Sequence, residues 1–223
     1  MNSRDKILNR IAEALKTKTE SASDGRELEG SISIARGSIT PAGSDGLWNQ
    51  FKAELEKISG EFYSVHSVDD AAGLINSLLN EMKINSAAID NTADAAGAAQ
   101  LLGKKGIKIT AALELEAADR KNVIAGMNAS IVSPSFAVAD IASLVFAMDD
   151  TGTSYPHFLC DNTFAIVRKG SITADQFELF ERINPAKAKN MFFVTGPSRT
   201  ADIEKVLVLG AHGPRRLIVI AVD

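Results

Sequence analysis

Between Leu47 and Thr110 helix-type and strand-type patterns alternate without a break, and this alternation constrains the fold more than any other feature of the chain. "LWNQFKAELEKISG" places Leu47, Phe51, Leu55 and Ile58 on one helical face and ends on Gly60, which reads as its C-cap. "EFYSV" has strand character. "SVDDAAGLINSLLNEM" opens with Ser67 three residues before Asp70, a capping-box-like start, and continues as a helix. "SAAID", "ADAAGAAQLLG" and "GIKIT" then read as strand, helix and strand. Strands joined through helices pair in parallel, because a parallel pair needs a long crossover. The expected fold is therefore α/β, with a mainly parallel sheet covered by helices on both faces.

The flanks differ. "ASIVSPSFAVADIASLVFAM" and "NTFAIVRK" are β-rich with little helix between them, which predicts antiparallel pairing or an inserted hairpin in the middle of the chain. Helix "TADQFELFERI", strand "MFFVT", helix "ADIEKVLVL" and strand "RLIVIAV" complete the pattern. Upstream, Ile7, Leu8, Ile11, Ala14 and Leu15 recur at helical spacing between Ser3 and Lys18. A polar, Gly- and Ser-rich stretch without a stable period follows. The predicted organisation is an N-terminal helical arm over 1–18, a polar linker over 19–43 and an α/β domain over 44–223.

Charge and cysteine usage exclude several classes of function. The net charge of −4 over 223 residues provides no field that would draw the chain to nucleic acid. No apolar stretch reaches the roughly 18 residues of a membrane span, so no membrane insertion and a cytoplasmic location are expected. Cys160 is the only cysteine, leaving no disulfide framework, no CxxC pair and no cysteine-ligated cluster on the chain. His66, His157 and His212 lie far apart, so no metal is expected. Neither GxGxxG nor a P-loop follows any strand, and no cofactor is expected.

The C-terminal stretch "TGPSRTADIEKVLVLGAHGPRRL", Thr195 to Leu217, carries the most specific chemistry. Gly196 can adopt backbone angles closed to other residues, and Pro197 fixes its own. Ser198 or Thr200 can cap the following helix, whose free N–H groups would face the space beyond the strand's carboxyl end. With the paired donors of Arg199, such a helix start suits a carboxylate or a phosphate. Asp202 and Glu204 in the first turn act against this, and the alternative is an Arg199 that pairs with a nearby acid and fixes the turn. At the far end Gly210 reads as the helix cap. His212 is placed to hydrogen-bond the last helix carbonyls, and Gly213-Pro214 turns into the last strand at its amino end.

The segments Gly196–Glu204 and Gly210–Pro214, together with "SRDKILNRIAEAL" and "FKAELEKISGEFYSVHSVDDAAGLI", closely resemble the lactate-utilisation (LUD) domain family over most of the chain. The resemblance implies the fold of ribose-5-phosphate isomerase, glucosamine-phosphate deaminase and the coenzyme A transferases. It also implies a role as an accessory subunit beside iron–sulfur partner proteins that oxidise L-lactate to pyruvate, with a site for a small organic anion or phosphate. A homo-oligomer is compatible with it. Two motifs depart from the family. Its Ala-Glu-Thr-Gly-Thr loop is Ala139-Asp140-Ile141-Ala142-Ser143 here, and an alanine in place of the glycine predicts a different loop shape. Its Leu-Pro-x-x-His stretch is replaced by Leu159-Cys160-Asp161-Asn162-Thr163. Asp140 and Ser143 survive in kind. The candidate site is thus Gly196, Ser198, Arg199, Thr200 and Ser143 for the anion and Asp140 or Asp161 as a base. Asp202, Glu204, His212 and Gly213 form a structural or interface motif. Two alternatives remain open, an independent enzyme of sugar-phosphate isomerase or acyl-transfer type and a binding-only member.

"MDDTGTSYPHF" gathers acids, hydroxyls, Tyr155 and His157 in one loop, and reads either as a solvated hairpin turn or as a rebuilt binding loop. Cys160, beside Asp161 and without a basic neighbour, is expected to be a buried, unreactive thiol. Asp69 and Asp70 belong to a helix start, and Trp48 to the core.

Overall fold

The computed structural model describes residues 43–149, 152–184, 188–201, 207–209 and 213–223. The predicted arm over 1–18 and nearly all of the linker over 19–43 lie outside these residues.

The first half of the chain follows its periodicity. Helix α1 spans Ser44–Lys57, β1 Glu61–Val65, α2 Val68–Glu81, β2 Ser86–Ile89, α3 Ala93–Lys104 and β3 Lys108–Ala111. Ser67 caps α2: its hydroxyl accepts from Asp70 N at 3.1 Å and donates to the Asp70 carboxylate at 2.7 Å. At the end of α1 the cap differs from the expectation. Ser59, not Gly60, takes the left-handed position with φ +64°. Ser59 N donates to Glu56 O and Gly60 N to Leu55 O, the paired bonds of a Schellman motif.

The second half builds two sheets. After α4 (Ala117–Ala125) come β4 (Ala129–Val132), β5 (Phe136–Val138), β6 (Ser143–Met148), the short helix α5 (Tyr155–Phe158) and β7 (Asn162–Arg168). Then follow β8 (Ile172–Thr173), α6 (Gln176–Arg182), β9 (Asn190–Val194), β10 (Arg199–Ala201), β11 (Leu207–Leu209) and β12 (Arg216–Val222). The main sheet has six parallel strands in the order β1-β12-β7-β4-β2-β3. A second sheet, ordered β8-β5-β6-β9, pairs β6 antiparallel with both β5 and β9.

The central strands are apolar on both faces, as fully covered parallel strands must be. Phe164 and Ile166 of β7 and Ile218 and Ile220 of β12 face α2 and α3, where they meet Ala71, Ile75, Ala98 and Leu102. The alternate residues Ala165, Val167, Leu217 and Val219 face the other way, onto Phe51 and Leu55 of α1 and onto Leu144 and Phe146 of the second sheet. Helix α6 covers the outer side of that second sheet through Leu179. Trp48 is buried as expected, and its indole N–H donates to Lys169 O at 3.0 Å. Among the described residues no helix is long and apolar enough to cross a membrane.

Two expectations need correction. The described ends of the stretch expected as the helix "ADIEKVLVL" are strands: Arg199–Ala201 pairs antiparallel with Leu207–Leu209, Arg199 opposite Leu209. β-Branched residues in a short apolar run suit a paired strand as well as a buried helix, and pairing decided between them. "MFFVT" forms β9 in the antiparallel sheet and does not extend the parallel one. In the β5–β6 turn, Ala142 itself adopts φ +47°, a left-handed backbone that favours glycine. Its methyl group is fully buried in the core beside Leu144, and that packing offsets part of the roughly 1–2 kcal/mol that the conformation costs an L-residue.

Candidate functional site

The two halves of the C-terminal signature converge. Thr195, Gly196, Pro197 and Ser198, leaving β9, and Gly213 and Pro214, entering β12, line one cavity of about 490 Å³ with Ile58 and Phe158. Ser198 N donates to Pro214 O at 2.7 Å and clasps the two segments. Gly196 has φ +76°, a conformation that favours glycine, and a Cβ there would stand 2.6 Å from Ile58 Cδ1 and push that side chain aside. A Cβ on Gly213 would lie 3.3 Å from Ser198 Cβ. Ser143 reaches this cavity indirectly, through a hydroxyl–hydroxyl bond to Thr195.

The remaining candidates are placed differently. Among the described residues, 199–201 are a strand, where the sequence predicts the start of an anion-binding helix. The backbones of Arg199 and Thr200 run in β10. Asp202, Glu204 and His212 lie outside the described residues. Asp140 sits at the β5–β6 turn, its backbone N–H donating to Ala174 O at 3.2 Å. Its carboxyl is pushed above the usual range by burial and then by the Asp175 carboxylate, and its Oδ1 is buried without a hydrogen-bond partner. Asp161 is half exposed at the amino end of β7, with its carboxylate 3.4 Å from the Arg215 guanidinium. Neither acid lines the signature cavity. Cys160 is buried, and burial, with Asp161 adding to it, raises its thiol to about 11. It is an unreactive core thiol, as expected.

The sequence reading did not single out Asp90. Strands β2 and β4 are neighbours although β3 lies between them in sequence, because the chain runs outward to β3 and returns on the other side of β2. That reversal is a topological switch point, where open α/β sheets leave a crevice beyond the strand carboxyl ends. Asp90 follows β2 directly and is only 5% exposed. One of its oxygens accepts from Thr92 N at 3.1 Å and from the Thr92 hydroxyl; the other accepts from Ser133 N, beyond β4, at 2.9 Å. His157, 3% exposed, brings its Nε2 to 3.5 Å from that second oxygen. Phe146 and Phe192 hold the imidazole edge-on at 4.4 and 5.1 Å between centroids. Asp90, Thr92, Ser133, Ser135, Asp149 and His157 line a cavity of about 150 Å³. The loop that reads either as a solvated turn or as a rebuilt binding loop thus delivers a buried histidine.

The fold and the C-terminal signature agree with one family, whose LUD domain model matches residues 48–222. The chain belongs to the LUD-domain family. This LUD domain is 32% identical over 112 residues to lactate utilization protein C of Geobacillus thermodenitrificans, covering 46% of each chain. It is 27% identical over 100 residues to the protein of that name from Bacillus pumilus, covering 42% of each. A shorter match, 54% identical over 33 residues, covers 15% of this chain and 14% of an uncharacterised protein of Neisseria meningitidis serogroup B. The chain spans less than half the length of these curated relatives. Among solved structures, a DUF162 family protein from Deinococcus radiodurans superposes with a TM-score of 0.61 at 16% identity, over 82% of this chain and all of that one. At that identity the likeness shows the fold alone.

Proposed function

We propose that this LUD-domain chain serves L-lactate utilisation as an accessory subunit, acting beside iron–sulfur partner proteins and holding a small organic anion at the C-terminal signature. The observation that carries the reading is the convergence of Gly196–Ser198 with Gly213–Pro214 around one cavity. A motif used only to cap a packing element would not need two distant segments clasped around open space. The names of the relatives support the pathway. Lactate oxidation releases two electrons that need an acceptor, and a chain with Cys160 as its only cysteine does not ligate a cluster through cysteines of its own. Partners supply the electron path in this reading, and the chain supplies binding and positioning, with Arg199 and Thr200 of β10 as the nearest polar side chains in sequence. Asp140 and Asp161 are the acids of the alternative, independent-enzyme reading, in which either would serve as a base.

The test is a strain from which this chain is deleted, grown on L-lactate or on pyruvate as sole carbon source, with tagged chain purified from lactate-grown cells. Loss of growth on L-lactate alone, with iron and acid-labile sulfide in the co-purified fraction, is expected. Unchanged growth on L-lactate would sink the proposal. Restored growth with Arg199→Ala at the wild-type rate would remove its anion-site half.

A further inference from the structure

We propose that the open edge of β9 is a docking groove, in which an extended acidic segment of a partner protein pairs with the strand and sets a carboxylate against Arg120. The starting point is the sheet edges. An edge strand leaves alternate N–H and C=O groups unpaired, and folded chains blunt such edges with charges, shortness or a covering group. Three of the four edges of the two larger sheets follow that rule. β1 opens on Glu61 and β3 on Lys108. β8 is two residues long, and the Arg182 guanidinium covers it by donating to Ile172 O at 2.7 Å and to Gly170 O at 2.9 Å. β9 differs. It reads Asn-Met-Phe-Phe-Val over 190–194, with no charge, no proline and, among the described residues, no neighbour besides β6.

A groove borders this edge. Asn190, Met191 and Phe192 lie in the wall of a cavity of about 620 Å³, and Phe193 and Val194 in that of the signature cavity. Met191 and Phe193 turn to the cluster under α6, Phe192 and Val194 to the core between the sheets. Neighbours that point to opposite faces line one space only where it runs along the edge of the strand. The wall of the larger cavity is completed by Tyr155 and Phe158 of α5 and by Arg120 of α4, which packs on α5. A second copy of this chain holds its own β9 inside the same groove, so two such edges cannot meet. A single extended segment can enter, in the manner of β-strand addition, and the edge offers it roughly 17 Å of backbone. Charge then selects the segment. Arg120 is the one charged residue lining the larger cavity and is partly exposed. Its Nη2 donates to Leu115 O at 2.9 Å, which fixes the guanidinium, and it pairs with no acid among the described residues. A guanidinium held in one orientation and left without a counter-charge recognises a carboxylate. Met148, Met191 and Phe158 beside it suit apolar neighbours of that acid. The inference does not depend on the lactate reading, and it stands whether or not the signature cavity holds an anion.

Fluorescence anisotropy of labelled peptides with the full chain tests it. The probes are acetylated hexapeptides of alternating valine and threonine in which glutamate occupies each position in turn. A matching set carries lysine in place of glutamate, and a third is the glutamate set with N-methylated backbone. At least one glutamate peptide is expected to bind, with its lysine counterpart weaker by about tenfold or more. Its N-methylated counterpart should also lose about tenfold or more, because pairing with β9 needs the backbone N–H groups. Arg120→Gln should weaken the best glutamate peptide by about tenfold, and Arg120→Glu should reverse the preference towards lysine. The peptide comparison stays decisive if an Arg120 variant fails to fold. In the native chain, the bound peptide should slow amide hydrogen exchange over 190–194 and leave the edges β1 and β3 unchanged. The proposal is overturned if no peptide of the set binds, if the lysine or N-methylated peptides bind as well as the glutamate ones, or if a folded Arg120→Gln keeps full affinity. Protection of β1 or β3 in place of β9 would overturn it too.

Discussion

Single residues carry strain at two places, and each has a measurable consequence. Asp140 binds its proton more tightly in the folded chain than in the unfolded one, because burial and the Asp175 carboxylate both disfavour the charge. The folded value lies above 3.8, so the ionised carboxylate opposes folding at neutral pH, and the opposition vanishes below 3.8, where both states are protonated. Asp140→Asn is therefore expected to be more stable than the parent in urea unfolding at pH 7. The advantage should shrink as pH falls from the raised value towards 3.8. An equal advantage at all pH values would contradict this. At Gly196, alanine meets both a left-handed backbone and Ile58. Gly196→Ala should cost about 1–3 kcal/mol, and part of it should return in the Gly196→Ala, Ile58→Ala pair compared with Ile58→Ala alone. These two features of the Gly196 position, its φ and its contact with Ile58, were only half visible in the sequence. The motif showed that a glycine was needed, but not that Ile58, far away along the chain, fills the space beside it.

At the scale of elements, the caps and periodicities of the first half were legible because they are local. Ser67 and Asp70 are one helical turn apart, and their mutual bonds form whatever the rest of the chain does. Ser67→Ala should cost about 1 kcal/mol, read as a small shift in urea midpoint without a change in slope; no shift would mean that tertiary packing alone sets the start of α2. The C-terminal hairpin was not legible. "KVLVL" satisfies a buried helix and a strand equally, and only the Arg199–Leu209 pairing distinguishes them. The anion reading at Arg199 first rested on a helix start at 198–200, and residues 199–201 are a strand instead. What remains of that site is the loop geometry around Gly196 and its clasp to Pro214.

At the scale of the molecule, Asp90 joins segments 43 residues apart, since it bonds Thr92 after β2 and Ser133 after β4. Asp90→Ala removes the acceptor from part-buried donors in both connections and leaves His157 without the carboxylate it faces. The expected cost is about 3 kcal/mol, or roughly 6–12 °C in Tm for a domain of this size. A change within 2 °C, on the order of half a kcal/mol, would show that the crossovers hold themselves.

The sequence by itself determined the α/β class, the helices and parallel strands of the first half, the buried Cys160 and the family signature. Each of these rests on residue types and spacings within a few helical turns, where periodic burial and local hydrogen bonds act. Only the tertiary structure decided that β2 and β4 are neighbours, that "MFFVT" joins a second, antiparallel sheet, and that His157 lies against Asp90. Nothing near His157 in sequence distinguishes it from a turn histidine. Its partner lies 67 residues earlier, and the two meet because the strand order reverses between them.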